Sequence, residues 1–417
     1  MYDVIVVGAG AAGLLASAEA GARGLSVLLY ERNGRAGVKL RITGKGRCNL
    51  TNNCRAEDVL ENVTRGGRFL HSALNGFTPS DAMAAFESMG VPLKTERGGR
   101  VFPASDRAGD VADALLNRAI ACGVKLRRGR VTDIETSAGA VSGIAAGGER
   151  ERCRAVILCT GGVSYPVTGS TGDGYAIAER LGHTVSPLRP SLVPLTARGG
   201  VCAELSGLTL RNVRLRVYRP GGDDKKPLFD GFGELLFTHF GISGPLALSA
   251  SAHMCDFSGA GYRAVIDLKP ALSEDLLDAR IVRDFAKFSN RNFSNALDDL
   301  LPGKMRPVIL KLSGIPPGEK VHSVTRAQRA ALRDLLKRFT LDITGARPAE
   351  EAVITSGGVS LSEIDPGTMQ SKLVRGLHFA GEIIDADAYT GGFNLQIAWS
   401  TAYAAGRRVL AGGRNRG

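Results

Sequence analysis

The N-terminal region combines an apolar strand, a glycine-rich turn and an alanine-rich helix. Residues 2–7, YDVIVV, are predicted to form an inner strand of a parallel sheet, because such strands are apolar along their whole length. The sequence GAGAAG follows at residues 8–13 and leads into an alanine-rich stretch. This order of strand, glycine turn and helix start is typical of a dinucleotide-binding fold.

Each glycine of the turn has its own expected role. Gly8 permits the tight turn, Gly10 lets the backbone approach a pyrophosphate, and Gly13 allows close packing of helix on strand. The helix N-terminus offers free amides and a partial positive charge to phosphates. A second predicted strand, residues 25–30, ends at Glu31, where this fold places an acid for a ribose hydroxyl. The acid argues against a 2′-phosphate.

The C-terminal region supplies a second glycine-rich group. Residues 376–382, GLHFAGE, form a predicted short strand that ends in Gly381 and Glu382. The sequence GGFNLQIA at residues 391–398 then begins the last predicted helix. A dinucleotide site closed from both ends of the chain favours FAD over a freely exchanging nicotinamide. The first amides of this helix could stabilise negative charge on a reduced flavin ring.

The chain between these ends changes its pattern twice. Strands and helices alternate up to a change in composition at residues 187–194, and helices dominate from residue 273. We therefore predict an α/β fold in which one domain is interrupted by an inserted β-plus-helical domain. The predicted ranges are 1–186 with 343–417 for the FAD-binding domain, 187–270 for a β-rich insert and 271–342 for a helical cap.

Several shorter segments have local predictions. Residues 124–134 and 140–145 are predicted to form a hairpin. Residues 247–252 have an alternating pattern that indicates a strand, and residues 110–122 have apolar residues at helical spacing.

Composition narrows the class of protein. The 417 residues exceed the usual size of a single core, no apolar run is long enough to span a membrane, and a strand from residue 2 leaves no room for a signal peptide. The seven cysteines are odd in number and scattered, without C-x-x-C pairs. This pattern indicates neither a disulfide framework nor a zinc site, so we expect a cytoplasmic protein without a bound metal.

The net charge of +12 is concentrated in two clusters. Residues 280–338 contain thirteen Lys and Arg against five Asp and Glu, and a second cluster spans residues 32–55. Such clusters suit a polyanion or an anionic substrate. They equally suit a solvated face that binds nothing, and no RNA-binding module is recognisable.

A disulfide reductase is the main alternative among flavoproteins. Cys48 and Cys54 follow Glu31 about where such enzymes keep their redox pair, but their spacing is one residue longer than C-x4-C. Those enzymes also carry a second glycine fingerprint for NAD(P)H. The glycine-rich run at residues 161–174, GGVSYPVTGSTGDG, has a different spacing. A pyridine nucleotide is therefore expected to dock transiently.

Four blocks of sequence resemble the BaiN/RdsA family of FAD-dependent oxidoreductases, which are also labelled aminoacetone-oxidase-like. They are KLRITGKGRCNLTN at residues 39–52, the run at 161–174, LFTHFGISGP at 236–245, and ITSGGV at 354–359 continuing through 385–396. The blocks span essentially the whole chain in order. The resemblance implies a Rossmann-like FAD-binding domain interrupted by a β-barrel-like insert and a helical cap. It also implies reduction of activated C=C bonds, on steroid-like enones in one branch and on a ribosomal RNA uridine in another.

The fingerprints and the resemblance together give a set of cofactor residues. These are expected to surround the FAD from both ends of the chain. The set comprises Gly8, Gly10, Ala12, Gly13, Glu31, Arg32, Lys39, Gly44, Gly46, Arg47, Cys48, Asn49, Val131, Thr160, Gly161, Gly381, Glu382, Asp387, Gly392, Phe393, Asn394 and Leu395.

Three residues are candidates for the proton donor. A flavin reduces a conjugated C=C by delivering hydride to one carbon while an acid protonates the other. Cys48 would have a lowered pKa beside Arg47 if the site is electropositive. Tyr165 lies in the segment expected to face the flavin, and His239 could line the substrate side. Each of the three also suits a purely structural role.

The leading hypothesis is NAD(P)H-driven reduction of uridine to dihydrouridine in large-subunit ribosomal RNA, with the basic clusters contacting the RNA. A small-molecule ene-reductase acting on a bile-acid-like enone, or an amine oxidase, is the alternative within the enzyme class. A flavin-containing RNA-associated binding protein with little turnover is the alternative outside it.

Overall fold

The structure is a computed structural model that describes residues 1–219, 221–222, 226–254, 257 and 261–411. It divides into two compact units, Met1–Ser191 with Ala349–Gly417, and Leu192–Pro348. In the part of the chain that the structure describes, no helix combines the length and apolarity needed to cross a membrane.

The strands, in chain order, are β1 (Tyr2–Val7), β2 (Val27–Glu31), β3 (Thr51–Asn52), β4 (Val63–Arg65), β5 (Leu93–Thr95), β6 (Arg100–Pro103), β7 (Lys125–Arg128), β8 (Val131–Ser137), β9 (Ala140–Ala146), β10 (Glu149–Leu158), β11 (Arg189–Ser191), β12 (Leu195–Ala197), β13 (Thr209–Tyr218), β14 (Phe229–Thr238), β15 (Gly241–Ser243), β16 (Tyr262–Asp267), β17 (Phe339–Ala346), β18 (Ile354–Ser356), β19 (Leu377–Phe379) and β20 (Asp387–Ala388). The helices are α1 (Ala11–Gly21), α2 (Val38–Ile42), α3 (Ala56–Glu61), α4 (Gly67–Gly76), α5 (Pro79–Ser88), α6 (Ala108–Ala121), α7 (Asp173–Arg180), α8 (Val201–Glu204), α9 (Gly244–Ser251), α10 (Glu274–Lys287), α11 (Met305–Ser313), α12 (Arg326–Lys337) and α13 (Phe393–Arg408).

A seven-stranded sheet forms the centre of the first unit. Strands β7, β2, β1, β10 and β19 are parallel neighbours in that order. The first half of β10 pairs instead with β9, and β9 pairs with β8, both antiparallel. The inner strand β2 is buried along its whole length, as expected for a strand covered on both faces. The Rossmann-like part of the predicted fold is confirmed.

Helices α1 and α13 join the two ends of the chain within this unit. A Cβ added at Gly406 of α13 would lie 2.5 Å from the carbonyl oxygen of Ala16 in α1, so the helices approach closely. Trp399 of α13 is fully buried and contacts Phe86 edge-on at 5.2 Å between ring centroids. The last helix is therefore part of the core of the N-terminal domain.

Residues 124–134 form two strands rather than the single predicted one. Strand β7 ends at Arg128, and the next amide, Gly129 N, donates to the carbonyl oxygen of Glu31 at 2.8 Å. This bond continues the parallel pairing of β7 with β2. The hairpin partner of β9 is β8, which begins at Val131.

Six antiparallel strands close a barrel in the second unit, in the order β12-β15-β14-β13-β16-β17. The β-barrel-like insert of the predicted fold is confirmed. Helices α10, α11 and α12 lie between β16 and β17 in sequence, and β17 returns after them to close the barrel. The expected boundary at residues 342–343 therefore falls inside a barrel strand. The second unit contains nearly all of the two ranges that were predicted as separate domains, 187–270 and 271–342.

Residues 247–251 belong to a helix and Ala252 follows it, so the predicted strand at residues 247–252 was wrong. Helix α9 begins at Gly244 with Pro245 in its first turn, a position that suits proline because its missing N–H is not needed there. The helix packs against β14, and the side chain of Leu246 lies next to Gly233 of that strand. Ser249 and Ser251 alternate with apolar residues in the sequence, and Ser251 lies on the buried face of the helix, where its Oγ accepts from Val193 N at 2.9 Å. This alternation resembled a strand.

Candidate functional site

Four neighbouring parallel strands lead into segments that are predicted to bind the cofactor. Strands β2, β1, β10 and β19 run side by side in one direction, so their carboxyl ends meet at one edge of the sheet. Glu31 ends β2, the glycine turn follows β1, and residues 160–162 and 381–382 follow β10 and β19. Open α/β sheets bind ligands outside this edge. The fold thus brings segments from both ends of the chain to a ligand-binding position.

The glycine turn leaves space at one glycine and none at the other two. A Cβ at Gly8 would lie 2.6 Å from the carbonyl oxygen of Cys159, and one at Gly13 would lie 1.8 Å from that of Gly8. At Gly10 nothing lies within 4 Å of the added atom. Gly10 is the residue before α1, where the first amides have no partner inside the helix. The opening therefore suits a pyrophosphate.

Glu31 is held against the glycine turn. Its Oε2 accepts a hydrogen bond from Ala9 N at 2.9 Å, and its Oε1 accepts from Asn33 N at 2.8 Å and Asn33 Nδ2 at 2.9 Å. The side chain is buried. The carboxylate thus lies beside the turn, where a ribose hydroxyl of a dinucleotide would meet it.

Lys39 and Glu382 form a half-buried ion pair that joins the two ends of the chain. Lys39 Nζ donates to Glu382 Oε2 at 2.6 Å and to Ser164 Oγ at 2.7 Å. Glu382 Oε1 accepts from Ser164 Oγ at 3.0 Å and from Thr355 N at 2.8 Å. Gly162 must lack a side chain, because a Cβ there would lie 2.3 Å from Thr355 Oγ1. This network fixes the segments that follow β10 and β19.

The segment before and within β3 is attached to the start of α13. Thr51 Oγ1 donates to Gln396 Oε1 at 2.6 Å, and Asn52 Nδ2 donates to the carbonyl oxygen of Gly391 at 3.1 Å. In the amide orientation that satisfies both of its hydrogen bonds, Asn49 Oδ1 accepts from Gly392 N at 3.0 Å. Two sequence blocks more than three hundred residues apart are therefore parts of one local structure.

Asp387 is a buried carboxyl group next to this attachment. It accepts from Thr64 Oγ1 at 3.0 Å and from Ser356 Oγ at 3.2 Å. Burial, together with the nearby Asp385 carboxylate, raises its pKa. Asn394 holds the following loop, since its Oδ1 accepts from Ala388 N at 2.9 Å and its Nδ2 donates to the carbonyl oxygen of Ala388 at 2.7 Å.

Other members of the predicted cofactor set lie along the same edge. A Cβ at Gly381 would be 2.8 Å from the Cβ of Ala12, so the two ends of the chain are in contact there. Thr160 Oγ1 is buried without a hydrogen-bond partner among the described residues, which suits an added polar ligand. Val131 is buried at the start of β8, Gly161 has a left-handed backbone, and Phe393 and Leu395 lie in the first turn of α13.

The two predicted arginines already have acidic partners. Arg32 pairs with Asp173 at 2.9 Å. Arg47 pairs with Glu96 and with Asp106, and its guanidinium lies 4.2 Å from the ring centroid of Phe102. The segment around Arg47 includes Gly44 and Gly46, both with left-handed backbones. Neither arginine has a free charge directed at a phosphate in this structure.

Cys48 is a core residue, so the expectation of a lowered thiol pKa was wrong. Its side chain is fully buried, and this burial raises its pKa to about 12. Arg47 does not make the surroundings electropositive, because Glu96 and Asp106 neutralise it. Cys54 is also a free thiol, and burial raises its pKa to about 11. A redox pair formed by these two cysteines has no support.

Tyr165 remains available as a proton donor. Its side chain is partly exposed, and no described residue makes a hydrogen bond with its hydroxyl. Its backbone is left-handed, with φ of 52°, although a proline follows. Thr168 stabilises this turn, since its N and Oγ1 both donate to the carbonyl oxygen of Tyr165 at 2.8 and 2.7 Å. Strained residues of this kind are concentrated at functional sites.

His239 belongs to the second unit. It is exposed in the turn between β14 and β15, and its ring contacts Phe240 at 5.0 Å between centroids. Its role on the substrate side stays a prediction.

The polar partners of the predicted residues were not among the sequence predictions. Ser164, Thr355 and Thr64 bond the carboxylates of Glu382 and Asp387. Ser164 and Thr355 lie within the family blocks, Ser164 after β10 and Thr355 within β18. Their place in the blocks is the one signal that could have identified them. Thr64 lies outside the blocks and had no such signal.

The chain is similar to known proteins over nearly its whole length. A family model described as HI0933-like protein Rossmann domain matches residues 2–408. The chain is 32% identical over 413 residues to the 3-dehydro-bile acid delta(4,6)-reductase of Clostridium scindens, and 30% identical over 413 residues to the ribosomal RNA dihydrouridine synthase of Escherichia coli. Each alignment covers 98% of both chains.

Solved structures show the same fold at low identity. The 3-ketosteroid-delta4-(5alpha)-dehydrogenase of Rhodococcus jostii RHA1, solved with 4-androstene-3,17-dione, has a TM-score of 0.51 at 17% identity, over 98% of this chain and 95% of that one. The sequence resemblance to the BaiN/RdsA family of FAD-dependent oxidoreductases is confirmed by the family model and the two relatives. The chain belongs to the HI0933-like protein family.

Proposed function

We propose that the protein is an FAD-dependent reductase of an activated C=C bond, and that its substrate is a uridine of large-subunit ribosomal RNA. The observation that carries this proposal is the match to two relatives over 98% of their length. One is named for a Δ4,6-reductase activity and the other for dihydrouridine synthesis. Both names describe addition of two hydrogens to a conjugated C=C.

The residues at the carboxyl edge of the sheet fit FAD. The opening at Gly10 and the first amides of α1 would receive the pyrophosphate, and Glu31 would bind the ribose. The buried Thr160 hydroxyl without a partner among the described residues is a further polar group for the ligand. The start of α13 would lie at the flavin end, where its amides favour negative charge. FAD, when bound and reduced by the nicotinamide, would supply the hydride that reduces the C=C.

The protein itself must supply a proton to the second carbon. Tyr165 is the proposed donor, because its hydroxyl has no bond with any described residue and lies in the segment next to Ser164 of the Lys39–Glu382 network. Cys48 is excluded by its burial. Oxidation of NADH or NADPH is the proposed source of electrons, and it requires transient docking of the nicotinamide.

Ribosomal RNA is favoured over a steroid-like enone by charge. A net charge of +12 favours association with a polyanion, whereas a small enone needs no such surface. The small-molecule ene-reductase remains the second candidate, because the bile-acid reductase is the relative with 32% identity.

A strain that lacks the gene provides the test. Mass spectrometry of its ribosomal RNA should show that one large-subunit dihydrouridine has become uridine, and expression of the intact gene should restore it. An unchanged modification map would overturn the RNA substrate. Reduction of a Δ4 enone, rather than of RNA uridine, by the purified protein would favour the second candidate.

A further inference from the structure

The structure separates paired cations from unpaired ones in the basic stretch of residues 280–338. Eight of its thirteen Lys and Arg side chains form ion pairs, several with acids outside the stretch. The pairs are Arg280–Asp284, Lys287–Asp299, Arg306–Asp298, Lys311–Glu204, Arg329–Asp278, Arg333–Asp334, Lys337–Asp267 and Arg338–Glu274.

Five cations of this stretch have no acidic partner among the described residues. Lys304 donates to the carbonyl oxygen of Ser206. The other four, Arg283, Arg291, Lys320 and Arg326, are exposed. Cations without an acidic partner among the described residues are therefore a minority in this stretch. Their positions show where its positive charge is not neutralised.

Three of these four cations surround the C-terminal end of α10. Arg291 lies 4.8 Å from the ring centroid of Phe288, and Lys287 lies at the same distance. Lys320 Nζ donates to the carbonyl oxygen of Asn290 at 3.2 Å. Arg283 precedes Lys287 by one helical turn on the same face.

Arg326 begins α12, close to the same end of α10. Gln328 of α12 donates to Glu319, the neighbour of Lys320, at 3.1 Å. We call Arg283, Lys287, Arg291, Lys320 and Arg326 the α10-end surface. Two acids among the described residues lie at this surface: Asp299, which pairs with Lys287, and Glu319, which precedes Lys320. Lys287 holds the pKa of Asp299 below its ordinary value, with contributions from Arg280 and Arg291. Cations therefore exceed acids by three.

The second basic cluster of the sequence does not have this property. Six of its seven cations pair with acids, and Lys45 alone has no acidic partner among the described residues. The pairs are Arg32–Asp173, Arg35–Asp113, Lys39–Glu382, Arg41–Asp113, Arg47–Glu96 and Arg55–Asp58. Of the two basic clusters in the sequence, one therefore contains a group of cations without acidic partners among the described residues, and this group lies at the α10-end surface.

We propose that the α10-end surface binds the phosphate backbone of the RNA substrate. Unpaired arginines and lysines release condensed counterions when they contact phosphates, and this release gives affinity without base specificity. The exposed side chains of Arg283, Arg291 and Lys320 can each reach a phosphate without breaking an ion pair. The proposal rests on RNA being the substrate, as inferred above.

Fluorescence anisotropy with a fluorescein-labelled hairpin of large-subunit ribosomal RNA tests the surface. The test variant is the triple Arg283→Gln, Arg291→Gln, Lys320→Gln. The matched control is the triple Arg306→Gln, Lys311→Gln, Arg338→Gln, which removes the same charge from the same part of the chain but from paired, partly exposed side chains. Both variants should keep the unfolding temperature of the intact protein, because all six side chains are at the surface.

The test variant should weaken binding at least about tenfold near physiological salt, and it should lower the slope of log affinity against log salt by about 2 to 3. The control should leave the slope unchanged. Equal loss in both variants would show that net charge alone matters and would overturn the proposal, as would no loss in either, or no binding by the intact protein.

Binding is measured with oxidised protein and without an electron donor, so it does not depend on turnover. If the hairpin binds through this surface and the ribosomal RNA map is unchanged in the deletion strain, the proposed reaction is wrong while the surface stands. If dihydrouridine depends on the gene and the test variant binds like the control, the reaction stands and the surface is wrong.

Discussion

Within the glycine turn, the residue expected to face the ligand differs from the two residues that packing requires to be glycine. Gly8 and Gly13 lack side chains because backbone atoms lie within 2.6 and 1.8 Å of the Cβ positions. Gly10 has open space and an ordinary negative φ of −80°. Packing therefore does not require glycine at residue 10, and the proposed approach of a pyrophosphate gives a reason for it.

Gly10→Ala should fold normally and lose its flavin. We expect a free energy of unfolding for the apoprotein within about 0.5 kcal/mol of the intact protein, because the added methyl group meets no protein atom. The flavin content of the purified variant should fall severalfold, since the methyl group would occupy the approach of the pyrophosphate.

Gly13→Ala is the control for this substitution. It should destabilise the protein by about 3 kcal/mol or more, because the methyl group would overlap the carbonyl oxygen of Gly8. Thermal unfolding and flavin absorbance measure both effects. Normal flavin retention by Gly10→Ala would contradict the placement of the dinucleotide at this turn.

At the scale of elements, long-range contacts decide what a segment does. Strand β3 is short, and hydrogen bonds from the side chains of Thr51 and Asn52 join it to the start of α13. Gly392 lies at the junction with φ of 98°, and an added Cβ would lie 2.3 Å from the carbonyl oxygen of Thr51. The junction is therefore closed by direct backbone contact.

Gly392→Ala should destabilise the protein by more than the cost of a left-handed alanine backbone, because its methyl group would also overlap the carbonyl oxygen of Thr51. Gly182→Ala is the matched control, since Gly182 has φ of 90° and no atom within 4 Å of its Cβ position. The control should lose about 1 to 2 kcal/mol from its left-handed backbone, and Gly392→Ala should lose at least about 2 kcal/mol more. Denaturant unfolding measures the difference. Equal losses would argue against a closed junction.

Local sequence predicted many elements because their signals are local. The strand–turn–helix at residues 2–21 depends on adjacent apolar and glycine residues, and the structure has it. Residues 247–252 were mistaken for a strand because Ser249 and Ser251 alternate with apolar residues, although Ser251 lies on the buried face of a helix. The break at Gly129 was missed because pairing of β7 with β2 depends on a strand about a hundred residues earlier.

The sequence predicted the glycines and acids of the candidate site. It did not predict the ion pairs of Arg47 or the burial of Cys48. Glu31 and Glu382 were identifiable because Glu31 ends a strand and Glu382 closely follows one. The neutralisation of Arg47 by Glu96 and Asp106, and the burial of Cys48, depend on tertiary contacts that no local pattern encodes. Residue type alone therefore assigned a reactive role to a core cysteine.

At the scale of the whole molecule, the buried His378 is expected to make stability depend on pH. His378 is buried, its Nδ1 bonds the carbonyl oxygen of Thr368 at 2.9 Å, and its Nε2 has no partner among the described residues. Burial lowers its pKa to about 4, against about 6.5 in the unfolded chain. The unfolded state therefore binds the proton first as the pH falls.

The contribution of His378 to stability should be complete above pH 6.5 and lost progressively between about pH 6.5 and 4, by about 3 kcal/mol in total. His378→Asn keeps a donor for Thr368 and removes the titration, so its stability should change less over this window. The exposed His71→Asn is the control and should follow the intact protein. Denaturant unfolding at a series of pH values measures all three, and parallel curves for all three would contradict this assignment.

A single anaerobic turnover tests the proposed reaction most directly. The flavin is first reduced by NADPH, excess donor is removed, and the reduced protein is mixed with a large-subunit ribosomal RNA fragment from a strain that lacks the gene. Reoxidation of the flavin should match the formation of dihydrouridine one for one, and Tyr165→Phe should slow it about 100-fold or more after normal flavin reduction. A flavin that stays reduced, or is reoxidised with every uridine intact, would contradict the proposed function.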